Sequence, residues 1–438
     1  MNLGILQLFK ISLIFICLQH LNADVKSFDF DFIKKGQQNE NTLLIIGGIQ
    51  GDEPGAFMAA SLIATHYDIK KGSVWVIPNL NFYSIIKRSR GPYGDMNRKF
   101  ATLSEEDPDY NTVQRIKKYI KADEVKLILN LHDGSGFYRE KHLSNKLSPL
   151  RWGQCSIIDQ SNLDIESYGN LEEISTKVVN SINNNLIKSR DKYHVKNTET
   201  RLGDKEMEKS LTYYAINNGK AAFANEASKE LNLEERVYYH LLAIEEYMNI
   251  MGIEFHRKFN LTTSDIKNVI DHDIFISFYD EKIKLPLSKV RKLLRYFPIS
   301  KDGNLEFTTS SPLMTIVKEG KEYIIHYGNR KLAKLHPDYI KFIEDEREIN
   351  IFIDGVKKSI KFGDILYAKD TFNIEPIPNL RVNVIGYVNK NKKNEVGLDI
   401  TKKEIVKRFS IDQDGNIFRI EFYQGDKFAG MILLGFEK

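Results

Sequence analysis

Polar side chains that could act on a substrate follow several short apolar runs in the first half of the chain. Gln50 and Glu53 lie three residues apart in the turn IQGDEPG, directly after the run Leu43–Ile46. His132 ends the run LILNLH, and Glu226 follows the small-residue run AAFAN. If these runs are strands of one parallel sheet, their carboxyl ends meet at the edge where open α/β sheets keep their sites. We therefore expect the four side chains to converge.

The types of these side chains suit a divalent cation. The carbonyl oxygen of Gln50, the carboxylate of Glu53 and the imidazole of His132 would supply three ligands and leave one position open, as in catalytic zinc sites. A further carboxylate, Glu226, is the general base that such a site needs. Arg98, in the motif GDMNRKF, offers a guanidinium fork that matches a substrate carboxylate. Each motif is common by itself, but their combination predicts a hydrolytic metal site.

The order of these motifs resembles that of the M14 zinc carboxypeptidases. That family has H-x-x-E, N-R, H and E, and this chain has Q-x-x-E, N-R, H and E between Leu43 and Ser228. The glutamine, an apolar N-terminal leader and a β-rich second half together are similar to the cell-shape peptidoglycan carboxypeptidases of helical bacteria such as Helicobacter and Campylobacter. The resemblance implies a carboxypeptidase-like mixed, largely parallel sheet flanked by helices.

The resemblance also implies roles in the chemistry. Gln50, Glu53 and His132 would bind Zn²⁺, and Glu226 would move a proton from the attacking water to the leaving amine. The glutamine departs from the family pattern, and its amide oxygen is a weaker zinc donor than imidazole. Both side chains are neutral, so the formal charge of the site is unchanged. We expect looser metal binding with the same mechanism.

Substrate recognition is implied in the same way. Asn97 and Arg98 would hold the terminal carboxylate of the substrate. Arg90, in RSRGPYGDMNR, would either polarise the scissile carbonyl or bind a second carboxylate. The enzymes that the chain resembles trim muramyl tripeptide to dipeptide by releasing meso-diaminopimelate, which affects cell shape. We expect this chain to act on the same peptidoglycan stem peptides.

Two other functions stay open from the sequence. The motif GGIQGDEPG also resembles the aspartoacylase and succinylglutamate desuccinylase branch, which hydrolyses N-acyl amino acids and is mostly cytoplasmic. Alternatively, Gln50 marks a metal-free domain that binds muropeptides without cleaving them. An export signal argues against the first alternative, and the zinc content of the protein would decide the second.

Alternating strand and helix patterns must position these residues. Short buried strands between amphipathic helices imply a mostly parallel sheet. The predicted strands are Leu43–Ile46, Val74–Ile77, Leu127–Leu131 and Ala221–Asn225. The predicted helices are Gly55–Tyr67, Asn111–Lys121, Leu171–Leu186 and Leu233–Met251.

The pattern changes after about residue 250, where period-two runs separated by turn signals predict all-β structure. These runs are Asp273–Phe278, Glu322–Tyr327, Ile349–Ile353 and Phe418–Tyr423. A length of 438 residues is also too great for one ordinary core. We predict a signal peptide over residues 1–23, a zinc carboxypeptidase-like domain over 24–250, a β domain over 251–342 and a β-sandwich-like domain over 343–438.

The N-terminus carries the features of a secretory signal. Residues 1–18 are mostly apolar, and the small residue Ala23 precedes Asp24, so we expect cleavage there and a periplasmic protein. A retained membrane anchor is the alternative, but Lys10 leaves too few apolar residues to span a bilayer. Cleavage would leave Cys155 as the single cysteine, so no internal disulfide could form.

Charge and composition exclude one class of partner. The formal net charge is +4 and the basic residues are dispersed, so we expect no nucleic-acid binding. The β-rich second half has no catalytic motif. We expect it to orient the enzyme on the cell wall or on other cell-shape proteins.

Overall fold

A computed structural model describes residues 28–345, 347–388 and 394–437, so the predicted signal peptide lies outside the described residues. The chain divides into two compact units. The α/β unit comprises Asp24–Ile274 and Ser310–Lys334, and the β unit comprises Phe275–Thr309 and Leu335–Lys438. The domain boundaries predicted at residues 250 and 342 stay predictions.

The α/β unit contains a mixed sheet of seven strands among the described residues, in the order β1-β4-β2-β5-β10-β8-β9. The strands up to residue 257 are β1 Ile33–Gly36, β2 Thr42–Ile46, β3 Tyr67–Lys71, β4 Ser73–Ile77, β5 Val125–Gly134, β6 Phe137–Tyr138, β7 Leu147–Ser148, β8 Cys155–Ile158, β9 His194–Asn197, β10 Ala221–Ser228 and β11 Glu254–Arg257. The pairs β4–β2, β2–β5, β5–β10 and β8–β9 are parallel, while β1–β4 and β10–β8 are antiparallel. This confirms the predicted mixed, largely parallel sheet.

The central strands are buried along their whole length because helices cover both faces of a parallel sheet. Every residue of β2 and β10 is buried, and β10 is rich in alanine. The register places Glu226 of β10 directly opposite His132 of β5. It also places Ile46, the last residue of β2, opposite Asn130. The carboxyl ends of the three strands therefore lie side by side.

The helices begin and end close to the predicted positions. Pro54 starts α1 at a position where proline is favoured. Asn232 and Glu235 form a capping box at the start of α6. The helices are α1 Pro54–His66, α2 Phe82–Lys87, α3 Tyr110–Ile120, α4 Leu171–Asn183, α5 Leu211–Ile216, α6 Leu233–Ile250 and α7 Thr263–His272.

Helix α7 corrects the prediction that everything after residue 250 is β structure. The Thr262 side chain accepts a hydrogen bond from Asp265 N at 3.1 Å and so caps the helix. Ile266, Val269 and Ile270 are buried, at the i, i+3 and i+4 spacing of one helix face. In the described part of the chain, no helix is both long and apolar enough to cross a membrane.

Small β-sheets make up the rest of the chain, as predicted. The hairpin of β16 and β17 belongs to the α/β unit, while the sheets β13-β12-β15, β20-β19-β22-β24 and β21-β26-β25-β23 belong to the β unit. The strands are β12 Phe275–Phe278, β13 Ile283–Pro286, β14 Leu293–Ser300, β15 Phe307–Thr309, β16 Met314–Glu319, β17 Glu322–Tyr327, β18 Arg330–Ile340, β19 Ile349–Ile353, β20 Val356–Ile360, β21 Ile365–Ala368, β22 Thr371–Ile374, β23 Arg381–Val384, β24 Ile400–Thr401, β25 Ile417–Gln424 and β26 Lys427–Phe436.

Candidate active site

A cavity of about 220 Å³ opens at the carboxyl ends of β2, β5 and β10. The turn after β2 delivers two side chains to it, and the ends of β5 and β10 deliver one each. The basic residues come from the loop that follows α2 and from a short 3₁₀ turn at Met96–Arg98. The structure brings together all seven residues that the sequence predicted: Gln50, Glu53, Arg90, Asn97, Arg98, His132 and Glu226.

Three donor atoms converge on one point of this cavity. His132 Nδ1 lies 3.0 Å from Glu53 Oε2 and 3.3 Å from Gln50 Oε1. Two donors bound to one tetrahedral ion at about 2.0–2.1 Å would be about 3.3 Å apart, so the three atoms fit a single cation. The third of these donors is an amide and not a His, Cys, Asp or Glu side chain. Among the described residues, no group of three side chains of those four types is placed to hold a metal.

Asp95 fixes the orientation of that amide. Its Oδ1 accepts a hydrogen bond from Gln50 Nε2 at 2.7 Å, which turns Gln50 Oε1 toward the other two donors. Its Oδ2 accepts from Arg90 Nε at 2.9 Å. Burial opposes ionisation, but the bond from Gln50 and the charge of Arg90 lower the pKa of Asp95. The carboxylate therefore polarises the amide and makes its carbonyl oxygen a better donor. Asp95 was not predicted from the sequence, although it lies two residues before the Asn-Arg pair.

Asn130 supports the histidine from the other side. Its Nδ2 atom lies 2.9 Å from His132 Nε2, and its Oδ1 atom is buried without a hydrogen-bond partner in the described structure. With Nδ1 turned to a cation, Nε2 carries the ring proton and requires an acceptor. Rotation of the Asn130 amide would place Oδ1 there as the acceptor of that proton. The alternation N-L-H on a strand places the two side chains on one face and could have indicated this contact.

Glu226 lies beside the donors with an unused oxygen. The side chain is 8% exposed, and within the described ranges Oε2 has no hydrogen-bond partner. Burial raises the pKa of Glu226 to about 8, with the charge of Glu53 acting in the same direction and that of His132 against it. The Glu53 contact also raises the pKa of His132 in spite of its burial. A carboxyl group that titrates near neutral pH can both take and return a proton.

Guanidinium groups form the opposite side of the cavity. Arg90 is half-exposed, and its Nη1 lies 3.6 Å from Glu53 Oε1. Arg98 donates through Nη1 to the carbonyl of Asn97 at 3.0 Å. The Asn97 side-chain carbonyl accepts from Leu211 N at 3.0 Å, so its Nδ2 group is left to donate to a ligand. The arrangement suits an anionic substrate group.

Asp133 anchors the site to the scaffold. This residue follows His132 on β5, and the structure shows a buried acceptor. It accepts hydrogen bonds from Gly55 N at 2.8 Å, from Arg236 Nη1 at 2.7 Å and from His240 Nε2 at 3.1 Å. A Cβ at Gly55 would collide with this carboxylate, so only glycine fits at the start of α1.

A sheet edge with a histidine, a carboxylate and an amide around one point, next to a free glutamate, defines an α/β metallopeptidase. Residues 10–271 match a family described as the catalytic part of a carboxypeptidase controlling helical cell shape. Residues 342–437 match the C-terminal domain of a metallo-carboxypeptidase. The chain belongs to this family of metallocarboxypeptidases that control helical cell shape.

Solved structures of the cell shape determinant protein Csd4 from Helicobacter pylori are similar to more than nine-tenths of the chain. The apo form is 41% identical with a TM-score of 0.84, covering 93% of this chain and 100% of that one. A tripeptide-bound form is 40% identical, with the same TM-score and coverage. The mDAP-bound form, described as a D,L-carboxypeptidase, is 42% identical with a TM-score of 0.84, covering 92% and 100%. No curated protein matches the chain in sequence.

Family membership decides between the functions that the sequence left open. The N-acyl amino acid hydrolases and the metal-free binding module are set aside, since the family consists of metallocarboxypeptidases. The resemblance stated from the motifs is confirmed, and so is the fold that it implied.

Replacement of Asp95 by asparagine tests whether this carboxylate supports the metal ligand. Asp95→Asn should weaken metal binding by about 10- to 100-fold, because the Gln50 amide loses its charged acceptor. Chelator competition measures the change. Asp52→Asn is the matched control. Asp52 accepts a hydrogen bond from Lys229 at 2.8 Å and makes none with the three candidate metal ligands. Equal metal affinity in both variants would rule out a role for Asp95 in holding the ligand.

Proposed function

We propose that the protein is a zinc-dependent D,L-carboxypeptidase that removes meso-diaminopimelate from muramyl tripeptide and leaves the dipeptide. The observation that carries this proposal is the approach of Gln50 Oε1 and Glu53 Oε2 to His132 Nδ1, with an unpartnered oxygen of Glu226 beside them. The similar Helicobacter protein has been solved with a tripeptide and with mDAP, which supports the same substrate class here.

The donor set supports zinc as the metal. Gln50, Glu53 and His132 would hold it with an amide oxygen, a carboxylate and an imidazole, a set that leaves one position open. When bound, zinc supplies a Lewis acid that polarises a carbonyl oxygen and acidifies a water molecule. Two buried acids flank the histidine, so a divalent cation would also offset their negative charge.

The basic residues of the cavity would bind the substrate. Arg98 and the Nδ2 group of Asn97 would hold the terminal carboxylate of the stem peptide. Arg90 projects toward Glu53 and would receive the scissile carbonyl or a second carboxylate. Lys229, which lies 3.7 Å from Glu53 Oε1, adds a further positive charge at the same edge. Arg90, Arg98 and Lys229 place three positive charges along this edge, which suits a substrate with several carboxylates.

Proton transfer falls to Glu226. Its unpartnered Oε2 would accept a proton from the attacking water and give it to the leaving amine of meso-diaminopimelate. Burial raises the pKa of Glu226, which favours the protonated form that the second of these steps requires.

The leader would place the enzyme in the periplasm, where its polymer substrate lies. Residues 1–23 combine an apolar core with a small residue at the expected cleavage position. Protein recovered from a periplasmic extract should therefore begin near Asp24 by N-terminal sequencing. A full-length chain that pellets with membranes would instead mean a retained anchor.

Digestion of muramyl tripeptide, followed by mass spectrometry, tests the proposed function. The protein with zinc should release meso-diaminopimelate, and chelation should abolish release until zinc is restored. Glu226→Gln should lower turnover by at least about 100-fold while metal content stays at that of the parent, because only the proton carrier is lost. A metal-loaded parent that binds the tripeptide without cleaving it would refute the enzyme assignment.

Arg98→Ala tests carboxylate recognition. The variant should raise KM about tenfold or more for a tripeptide with a free terminal carboxylate, since a charged hydrogen bond is lost. The KM for the amidated tripeptide should change little. Arg201→Ala, at an exposed arginine of the same unit, is the control. An equal rise in KM for both substrates in Arg98→Ala would show that Arg98 does not bind the terminal carboxylate.

A further inference from the structure

A second and larger cavity lies wholly within the β unit. It has a volume of about 1040 Å³ and is walled by β14, the turn after β23, the segment 408–413 and β25. This is at the upper end of the range for ligand pockets. We refer to it as the β-unit cavity. Its size would accommodate a saccharide with an attached peptide.

The walls of the β-unit cavity are fixed by buried contacts. Arg419 is 5% exposed and donates to the carbonyls of Tyr296 at 2.9 Å and Arg295 at 3.0 Å. Its Nη1 atom also lies 3.3 Å from Glu421 Oε1. Arg291 donates to Ser410 Oγ through Nε at 3.0 Å and Nη2 at 2.9 Å. These bonds connect β14 and the residues just before it with β25 and with the segment 408–413, so the cavity is preformed.

The charge of the β-unit cavity is predominantly positive. Five cationic side chains line it against two carboxylates, one of which, Glu421, is already paired with Arg419. Lys292 and Arg295 are exposed at the rim. Neither side chain has a hydrogen-bond or ion-pair partner within the described ranges. These two groups are therefore available to an anionic ligand.

Aromatic rings stand beside these charges. Tyr296 is 64% exposed, and its φ of 52° is in the left-handed region that tyrosine rarely adopts. Such backbone strain concentrates at binding sites, because the surrounding structure must impose it. Phe409 is 37% exposed, and the Arg408 guanidinium lies 5.0 Å from the centre of its ring. The rings offer flat apolar faces on which the C–H face of a sugar can pack.

We propose that the β-unit cavity is a second binding site for the cell-wall polymer, which takes a glycan segment with its carboxylate-bearing stems and does not cleave it. The cations at the rim would pair with the stem carboxylates, and the rings would pack against the sugars. The choice of this polymer rests on the proposed function. The role of the site is to hold the enzyme on its insoluble substrate.

Sedimentation tests the site separately from catalysis when the peptidoglycan sacculi have had their uncrosslinked stems trimmed to dipeptides. The remaining cross-linked stems keep these sacculi insoluble, and no free tripeptide is left to cleave. Tyr296→Ala, and the pair Lys292→Gln with Arg295→Gln, should each reduce the bound fraction by about fivefold or more. Both should cleave soluble tripeptide like the parent. The matched controls are Tyr367→Ala and the pair Lys358→Gln with Lys361→Gln, which change exposed residues of the same unit outside the cavity.

Equal sedimentation of the parent and both cavity variants would overturn the proposal. An equal loss of the bound fraction in the control variants would also overturn it, because binding would then be non-specific charge attraction. The parent should sediment far less with chitin, which lacks carboxylates. If Tyr296→Ala does not fold, the charge pair decides the result. A parent that sediments through the cavity but fails to cleave tripeptide would contradict the proposed function and leave the second site standing.

Discussion

Two acids buried around one histidine are the constraint on which the α/β unit depends. Glu53 and Glu226 are 3% and 8% exposed, and His132 lies between their strands at 4%. Buried charge of one sign is costly unless it is compensated. Arg90 and Lys229 compensate part of it from the solvent side. A divalent cation among the donor atoms would compensate the rest, so the same ion would supply both chemistry and stability.

An amide ligand in place of a histidine would change how a metal site is held together and would leave its charge the same. In a site with two histidines, each imidazole binds the metal through one nitrogen and is oriented through the other. Gln50 reproduces this arrangement with its two amide atoms, because Oε1 faces the donors while Nε2 donates to Asp95. Arg90 bonds the same Asp95, so the substrate-binding side and the metal-binding side share one carboxylate. Loss of that carboxylate would disturb both.

The β unit gives the enzyme a surface suited to an insoluble polymer. Arg291 and Arg419 form hydrogen bonds that hold the walls of its cavity. Lys292 and Arg295 remain at the rim. Such a division separates a fixed scaffold from the groups that contact the ligand. A catalytic site that releases one amino acid gains from a second attachment, because the enzyme then stays near further stems on the same strand.

The sequence by itself determined the donor types, their order and their positions after apolar runs. These were enough to predict Gln50, Glu53, His132, Glu226 and Arg98, while Asn97 and Arg90 followed from the family resemblance. It also determined the alternation of strands and helices. Apolar periodicity reports which residues are buried, and a turn after a buried strand reports where polar groups gather. These signals are local, so they can be read without the fold.

Only the tertiary structure decided the contacts between residues that are distant in the chain. The register that sets Glu226 opposite His132, and the hydrogen bond from Gln50 to Asp95, join segments that no local pattern connects. Helix α7 was missed because one short amphipathic face was outweighed by the β-like runs around it. The β-unit cavity needed four separate segments to meet. Hydrogen bonds and burial of this kind follow from packing in space, and packing is fixed only when the whole chain has folded.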